Sequence, residues 1–376
     1  QVMKSQLRRK WKIPVMPCIA GVRNQLCEIG TNRPRLTWIY PMEMTMLEAM
    51  FALPLFEKLR HCSILAWDID WHSGGLPRLM SKIPQKNATL GKDVSHFDAD
   101  CLETRIRRAF GLLRKHLSLT QPWEKNAWKL VVDYFVNTWI VMYDDAYLTD
   151  HGVPSGSYFT QIIDSILNAT ATFDTVNHLS LVRGFRKQPA CQFSEIFRYW
   201  NFLGDDSLAE LKFDLYTTDS SIMETLFLER HNFTLHPDKG FFHPVGIDVA
   251  EYDDFPEFLG YTLESSQDIT VSEQRLRAQI SIPEDADTCP EDLAIRLIGL
   301  GYSHGTSYRN HRLLQREYDR LSREYDLSIL TWKKDGIRNI LKYVLYMQEL
   351  PTTFPRYKDI VSRFRGLPAL SKCLSY

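Results

Sequence analysis

The sequence predicts an α+β fold, an antiparallel sheet with packed helices followed by a stretch of helix alone. Three observations predict it. The apolar run Ile196-Phe197-Arg198-Tyr199-Trp200-Asn201-Phe202-Leu203 ends on Gly204-Asp205-Asp206 and reads as a buried hairpin with two acids at its tip. Before and after it, short strands alternate with stretches of helical apolar period. From about Asp285 onward only helical patterns remain.

In chain order, residues 33–41 read as a short strand, with Arg33 and Arg35 two apart and so on one face. Met44 to Arg60 reads as a helix interrupted at Pro54. Lys92 to Phe97 suits a strand, Leu102 to Leu117 a basic amphipathic helix and Trp123 to Asn137 another helix. Asp144-Asp145 is the turn of a hairpin between Thr138–Val141 and Ala146–Thr149. The small-residue loop Gly152 to Gly156 launches a helix from about Thr160 to Thr172. A helix near Ser221 to His231 precedes a turn at His236-Pro237-Asp238-Lys239-Gly240.

In the helical tail, Thr288 and Glu291 are spaced for a capping box, with Pro290 in the first turn. Leu314, Tyr318, Leu321 and Tyr325 stripe one helix, and Ile337, Ile340, Leu341, Val344 and Leu345 stripe the next. Both stripes read as core packing.

The 376 residues suffice for two or three subdomains around a sizeable core. With 45 basic and 46 acidic residues the net charge is -1, so bulk charge names no partner. Position is more telling, because Gln1 to Arg35 holds eight Lys or Arg against the single acid Glu28, a start that favours a phosphate-rich partner. The seven cysteines are scattered and never in CxxC spacing, which argues for a reducing compartment and against a disulfide scaffold or zinc knuckle. His231, His236 and His243 lack the cysteines or paired spacing of a zinc finger. No apolar stretch reaches the ~20 residues of a spanning helix, so the expectation is a soluble protein without a membrane partner. The first residue is Gln rather than Met, and the expectation is that N-terminal sequence is missing.

Two carboxylates beside an apolar strand need compensation, and a divalent cation is the natural candidate; an ordinary turn is the bland alternative. A two-cation chemistry needs a further acid from a neighbouring strand. Lys92-Asp93-Val94-Ser95-His96-Phe97-Asp98 offers Asp93 and, five residues on, Asp98, on opposite faces if the strand stays regular. On the helix after the small-residue loop, Thr160, Asp164 and Asn168 recur at i, i+4 and i+8 among Ile162, Ile163, Ile166 and Leu167, a polar row aimed at a sugar, a template strand or a helix-packing network.

The ordered set Asp93-x4-Asp98, Ser155-Gly156-x3-Thr160-x7-Asn168 and Gly204-Asp205-Asp206 resembles the A, B and C motifs of viral RNA-dependent RNA polymerases, and the wording around Gly152–Asn168 resembles the partitivirus-like double-stranded RNA viruses. The resemblance covers roughly Arg23 to Thr262. It implies a right-hand polymerase: fingers in residues 1–90, the palm's first strand in 91–100, a fingers insertion in 101–150, the rest of the palm in 151–275 and a helical thumb in 276–376. It implies template-directed RNA synthesis from NTPs with two Mg²⁺ ions, or Mn²⁺ in their place, held by Asp93 and Asp205 with Asp206 assisting. Asp98 would accept the ribose 2′-hydroxyl, with Thr160 and either Asp164 or Asn168 completing the selection. A DNA-making relative would carry a bulky residue at position 98.

Arg33 and Arg35, with Arg23 helping, match the family's triphosphate-gripping motif, and Lys239 stands where the family carries a lysine that protonates the leaving pyrophosphate. Phe258-Leu259-Gly260-Tyr261 resembles the turn that supports the primer strand. Arg309, Arg312, Arg316, Arg320 and Arg323 would meet duplex phosphates or pair with the neighbouring Glu317, Asp319 and Glu324. The implied partners are an RNA template and product duplex, NTPs and a viral capsid protein, and the implied setting is a virus particle in the host cytoplasm.

Two other readings compete. Met142-Tyr143-Asp144-Asp145 superficially resembles a reverse transcriptase signature, but it precedes the Ser155-Gly156 loop and the order is wrong. An RNA-binding packaging protein derived from a polymerase would not need all the proposed ligands, which are present.

Overall fold

A computed structural model describes residues 16–23, 35–59, 62, 64–66, 75, 79, 88–215, 219–243, 257–264, 268–283, 286–325, 327, 351 and 353–366. The chain divides into two compact units, Gln1–Trp67 with Asn87–Pro244, and Asp68–Lys86 with Val245–Tyr376.

The first unit carries β1 (Cys18–Arg23), β2 (Arg35–Ile39), α1 (Met42–Leu59), β3 (Thr89–Ser95), α2 (Phe97–Asp100), α3 (Glu103–Arg114), α4 (Pro122–Val136), β4 (Trp139–Met142), β5 (Asp145–Leu148), α5 (Thr160–Val182), β6 (Phe197–Leu203), β7 (Asp206–Leu211), α6 (Ser220–His231) and β8 (Thr234–His243). One sheet runs β2-β1-β4-β5, with β1 and β4 parallel and the other neighbours antiparallel. The other, β6-β7-β3-β8, is antiparallel throughout. Alternation fits half-covered strands: Phe197 and Tyr199 of β6 are buried and Arg198 between them is exposed. The core joins both sheets to the helices, and Phe110, Trp128, Phe135 and Phe159 meet edge to face inside it.

Several expectations change. Helix α1 runs through Pro54 rather than breaking there; buried Phe51, Ala52 and Leu55 on both sides hold it against a penalty of about 3 kcal/mol for an interior proline. Helix α5 extends to Val182, ten residues beyond the expected end at Thr172. The threonines that suggested the end bond back to the helix, Thr170 to the Ile166 carbonyl and Thr172 to that of Asn168, while Val176 and Leu179 continue the buried face. Residues 236–240 form no separate turn but lie within β8. There Lys92 pairs with Gly240 and Val94 with Leu235, so four residues of β8 stand opposite Asp93 alone and the local turn chemistry is absorbed as a wide irregularity in the ladder.

The second unit holds β9 (Glu257–Phe258), β10 (Tyr261–Leu263), β11 (Ile269–Thr270), α7 (Glu273–Ser281), α8 (Pro290–Ser303), α9 (Tyr308–Glu324) and α10 (Tyr357–Phe364). Leu259 at φ 51 and Gly260 at φ 76 make the expected turn between β9 and β10, successive left-handed residues that suit a two-residue hairpin. Leu276, Leu297, Leu300, Leu314 and Leu321 form the core of this unit. Tyr325 lies past the end of α9 and is exposed, so it leaves the expected stripe. The cap of α8 uses Asp292, not Glu291: Thr288 donates its N–H and hydroxyl to Oδ2 of Asp292 at 2.9 and 2.6 Å. The stripe from Ile337 to Leu345 lies outside the described residues.

Candidate active site

The β6–β7 hairpin closes on the Leu203–Asp206 pair, leaving Gly204 and Asp205 as its turn residues. Gly204 sits at φ 63, a conformation that glycine adopts without a steric penalty. Helix α5 lies behind this turn with a buried polar face. Ser165 Oγ accepts the Gly204 N–H at 2.8 Å, and Asn168 Nδ2 reaches the carbonyls of Gly204, Asp205 and Asp206 at 3.0, 2.8 and 3.3 Å. Asn168 Oδ1 accepts from Lys92 Nζ at 2.6 Å. Lys92 immediately precedes Asp93 on β3. Burial pushes its pKa down to about 7, against the opposing pull of Asp205 and Asp93.

Asp98 is not on the strand with Asp93. His96, left-handed at φ 54, turns the chain out of β3 into α2, so the alternation of strand faces does not apply and Asp98 sits on a helical turn. Its backbone carbonyl accepts from Val153 N–H at 2.8 Å, which pins the loop before α5, and its carboxylate meets Arg35 Nη2 at 3.4 Å. Arg35 stands directly opposite Arg23 in the β1–β2 register. Like charges at opposed positions repel, so an anion between them would be favoured. Arg33 lies outside the described residues.

Asp164 is buried on α5 and hydrogen-bonds to Asp98, and its Oδ1 has no partner. Burial, then the charges of Asp98 and Asp205, hold its carboxyl well above the usual range. Asp98 is also raised, by burial first; Arg35 opposes the shift and Asp205 adds to it. The two carboxyls are coupled, so the charge on either one bears on the other.

Arg35, Asp98, Ser155 and Asp205 line one cavity of about 640 Å³, together with Trp38, His96, Asp150 and His151. A larger cavity of about 920 Å³ lies elsewhere, among Arg105, Arg108, Lys115, Arg230 and His231. Its one lining carboxylate, Asp174, already pairs with Arg230, so it lacks the acids that the chemistry needs.

The polar row on α5 does not act as one row. Thr160 donates to the carbonyls of Pro154 and Ser157 and caps its own loop, Asp164 faces Asp98, and Asn168 is spent on the turn. The Ser155-Gly156 loop approaches β2: Trp38 N–H donates to Ser155 Oγ at 3.1 Å, and a Cβ on Gly156 would lie 1.9 Å from the Trp38 carbonyl oxygen. Asp206 opens β7, half-buried. Lys239 lies in the irregular part of β8 opposite Asp93.

Sequence reasoning missed Lys92 and Glu48. Fully buried Glu48 of α1 accepts Ser157 Oγ at 2.8 Å and Tyr158 N–H at 2.9 Å, and burial raises its pKa to about 7. Its signal was an acid in register with Met44, Leu47, Phe51 and Leu55 on the apolar face of a helix. In the second unit, Arg320 pairs with Glu317 and Glu324, the surface pairing that the neighbouring acids allowed, while Arg309 pairs with Glu273 of α7, an acid outside that set.

Residues 12–322 match the model of the viral RNA-dependent RNA polymerase family, and the chain belongs to that family. It is 26% identical over 378 residues to the RNA-directed RNA polymerase of Cryptosporidium parvum virus 1 (strain KSU-1), covering 94% of this chain and 65% of that protein. The crystal structure of the RNA-dependent RNA polymerase of a human picobirnavirus shares the fold with a TM-score of 0.60 at 14% identity, over 87% of this chain and 58% of that one. The RNA-dependent RNA polymerase of a sicinivirus gives 0.60 at 15% identity, over 96% and 69%. The chain thus spans about two thirds of the length of the virus relative it matches.

Proposed function

We propose that the chain performs template-directed RNA synthesis, transferring nucleotidyl groups from NTPs to an RNA 3′ end in viral genome replication and transcription. The observation that carries this reading is the convergence of Arg35, Asp98, Ser155 and Asp205 on one cavity, with Asp164 behind Asp98. A guanidinium and acids lining one cavity suit a substrate that carries both phosphates and a ribose hydroxyl.

The donor chemistry fits divalent cations. Asp93 and Asp205 both pull on Lys92, and Asp205 acts with Arg35 on Asp98 and Asp164. Among the described residues no three His, Cys, Asp or Glu converge as a ready cage. Mg²⁺ keeps water and substrate phosphate beside one or two carboxylates. Asp93 and Asp205 are the proposed ligands, Asp206 assists, two Mg²⁺ are the proposed ions, and Mn²⁺ substitutes. When bound, the ions supply charge neutralisation at the phosphates and a more acidic 3′-hydroxyl.

The chain's own residues do the rest. Arg35 exchanges its 3.4 Å contact with Asp98 for the incoming triphosphate, and Arg23 and Arg33 are the further proposed grips on it. The ribose 2′-hydroxyl donates to the freed Asp98 carboxylate, while Asp164, hydrogen-bonded to it, fixes that carboxylate's orientation. Lys239 gives its proton to the leaving pyrophosphate. An RNA template and product duplex, a viral capsid protein and a particle in the host cytoplasm complete the proposal, on the strength of the virus relative.

Extension of a primer on an RNA template tests it. Incorporation of NTPs that requires Mg²⁺ or Mn²⁺ and discriminates against dNTPs is expected; RNA binding without incorporation would return the packaging reading.

A further inference from the structure

The Gly204–Asp206 turn has an uncommon support. Three successive carbonyls converge on one side-chain amide, Asn168 Nδ2, at 3.0, 2.8 and 3.3 Å. The Gly204 N–H goes to Ser165 Oγ, one helical turn before Asn168. Both supports come from the same face of α5, and both residues are fully buried. The remaining half of the amide is fixed as well, because Oδ1 accepts from Lys92 Nζ at 2.6 Å and from Thr172 Oγ1 at 3.3 Å. Flipping the amide would turn its oxygen on three carbonyls and its hydrogens on an ammonium, so the network fixes its orientation. Lys92 in turn is held over the Phe227 ring at 4.6 Å.

The consequence is geometric. Lys92 is the residue before Asp93 on β3, and the Asp205 carbonyl is on the same amide that Lys92 holds. One buried side chain therefore spans from the strand that carries Asp93 to the turn that carries Asp205, two segments distant in sequence. We infer that Asn168, fixed by Lys92 and seconded by Ser165, is the positioning residue that sets the spacing of the Asp93 and Asp205 carboxylates for a divalent cation, and that it takes no part in reading the ribose. The inference rests on the proposed polymerase function. Partners that orient ligands from behind typically change cation affinity or activity by about 10–100-fold when removed.

Asn168→Asp separates this role from plain core packing. The carboxylate keeps its contact with the Lys92 ammonium and its volume, but offers the three carbonyls no donor. Direct titration of the purified chain with Mn²⁺, followed by paramagnetic resonance of the free ion, reads the cation site without requiring turnover. We expect Asn168→Asp to weaken Mn²⁺ binding about tenfold and to lower kcat for NTP incorporation by a similar factor, with the KM for NTP and the NTP-to-dNTP preference unchanged. Ser165→Ala, which removes the acceptor of the Gly204 N–H along with a back-bond to the Gln161 carbonyl within α5, is expected to move Mn²⁺ binding in the same direction by about threefold. It provides the reading if Asn168→Asp does not fold.

Wild-type Mn²⁺ affinity in Asn168→Asp, or in Ser165→Ala where that is the variant that folds, would overturn the inference. So would a loss of dNTP discrimination in Asn168→Asp at unchanged Mn²⁺ affinity, the outcome of a ribose-reading asparagine. A wild-type chain that binds Mn²⁺ and incorporates no nucleotide would instead defeat the polymerase reading, and the Mn²⁺ difference between variants would still judge Asn168.

Discussion

Two hairpins in the first unit end in an Asp-Asp pair, and they differ in what stands behind them. In the β4–β5 hairpin the turn residues are Tyr143 and Asp144, closed by the Met142–Asp145 pair. Every residue of β5 is exposed, and Tyr143 is 95% exposed while carrying a left-handed φ of 55. In the β6–β7 hairpin the turn residues are Gly204 and Asp205, the left-handed position is taken by glycine, and α5 holds the turn from behind through Ser165 and Asn168. The same dipeptide is thus a solvated tip in one place and a braced pair of acids in the other. A carboxylate becomes useful to a cation when its backbone is fixed against a second carboxylate, and only the braced turn has Asp93 on the strand next to its own.

The comparison can be broken at several points. The largest effect on substrate choice is expected at the ribose contact beside the braced turn. Asp98→Ala removes the proposed acceptor of the 2′-hydroxyl, and competition between NTP and dNTP in primer extension should show the preference for NTP falling by about 100-fold or more. An unchanged preference would remove Asp98 from the site.

The next effect concerns the loop that leads into α5. Glu48 has a folded-state pKa of about 7, above its unfolded value of 4.5, so its contribution to stability is full below pH 4.5 and is lost as the pH rises through 7. Glu48→Gln keeps an acceptor for Ser157 and Tyr158 without the charge. Its stability relative to wild type should therefore rise by roughly 2 kcal/mol between pH 4.5 and pH 8, read from urea unfolding at both values. A difference that does not depend on pH would show that Glu48 is not buried in that state.

The smallest effects lie in the turns themselves and have opposite signs. Tyr143→Gly relieves a left-handed non-glycine residue at an exposed tip and should raise stability by about 1 kcal/mol. Gly204→Ala, with nothing within 4 Å of the added Cβ but a φ of 63, should lower it by about 1 kcal/mol. Equal signs in thermal unfolding would mean that backbone strain does not distinguish the two hairpins.

Much of the first unit was legible because its signals are local. Apolar alternation and the Gly204 turn gave the β6–β7 hairpin, the stretch from Trp123 to Asn137 gave α4, and the acids at 93, 98, 164 and 205 stood out against apolar neighbours. What was not legible depends on contacts far apart in the chain. Nothing within the row Thr160, Asp164 and Asn168 shows that the first caps its loop, the second meets Asp98 and the third serves the turn 36 residues later. His96 was read as one more strand residue because a left-handed non-glycine conformation leaves no trace in the apolar pattern. The stretch 236–240 carries turn residues, and pairing with β3 at both ends overrides them.

The measurement that bears most directly on the central claim is primer extension on an RNA template by Asp205→Asn and Asp145→Asn side by side, at saturating NTP and Mg²⁺. The braced turn predicts a loss of at least about 10³-fold for Asp205→Asn and activity within about twofold of wild type for Asp145→Asn. Comparable activity in the two variants, or a greater loss in Asp145→Asn, would contradict the account.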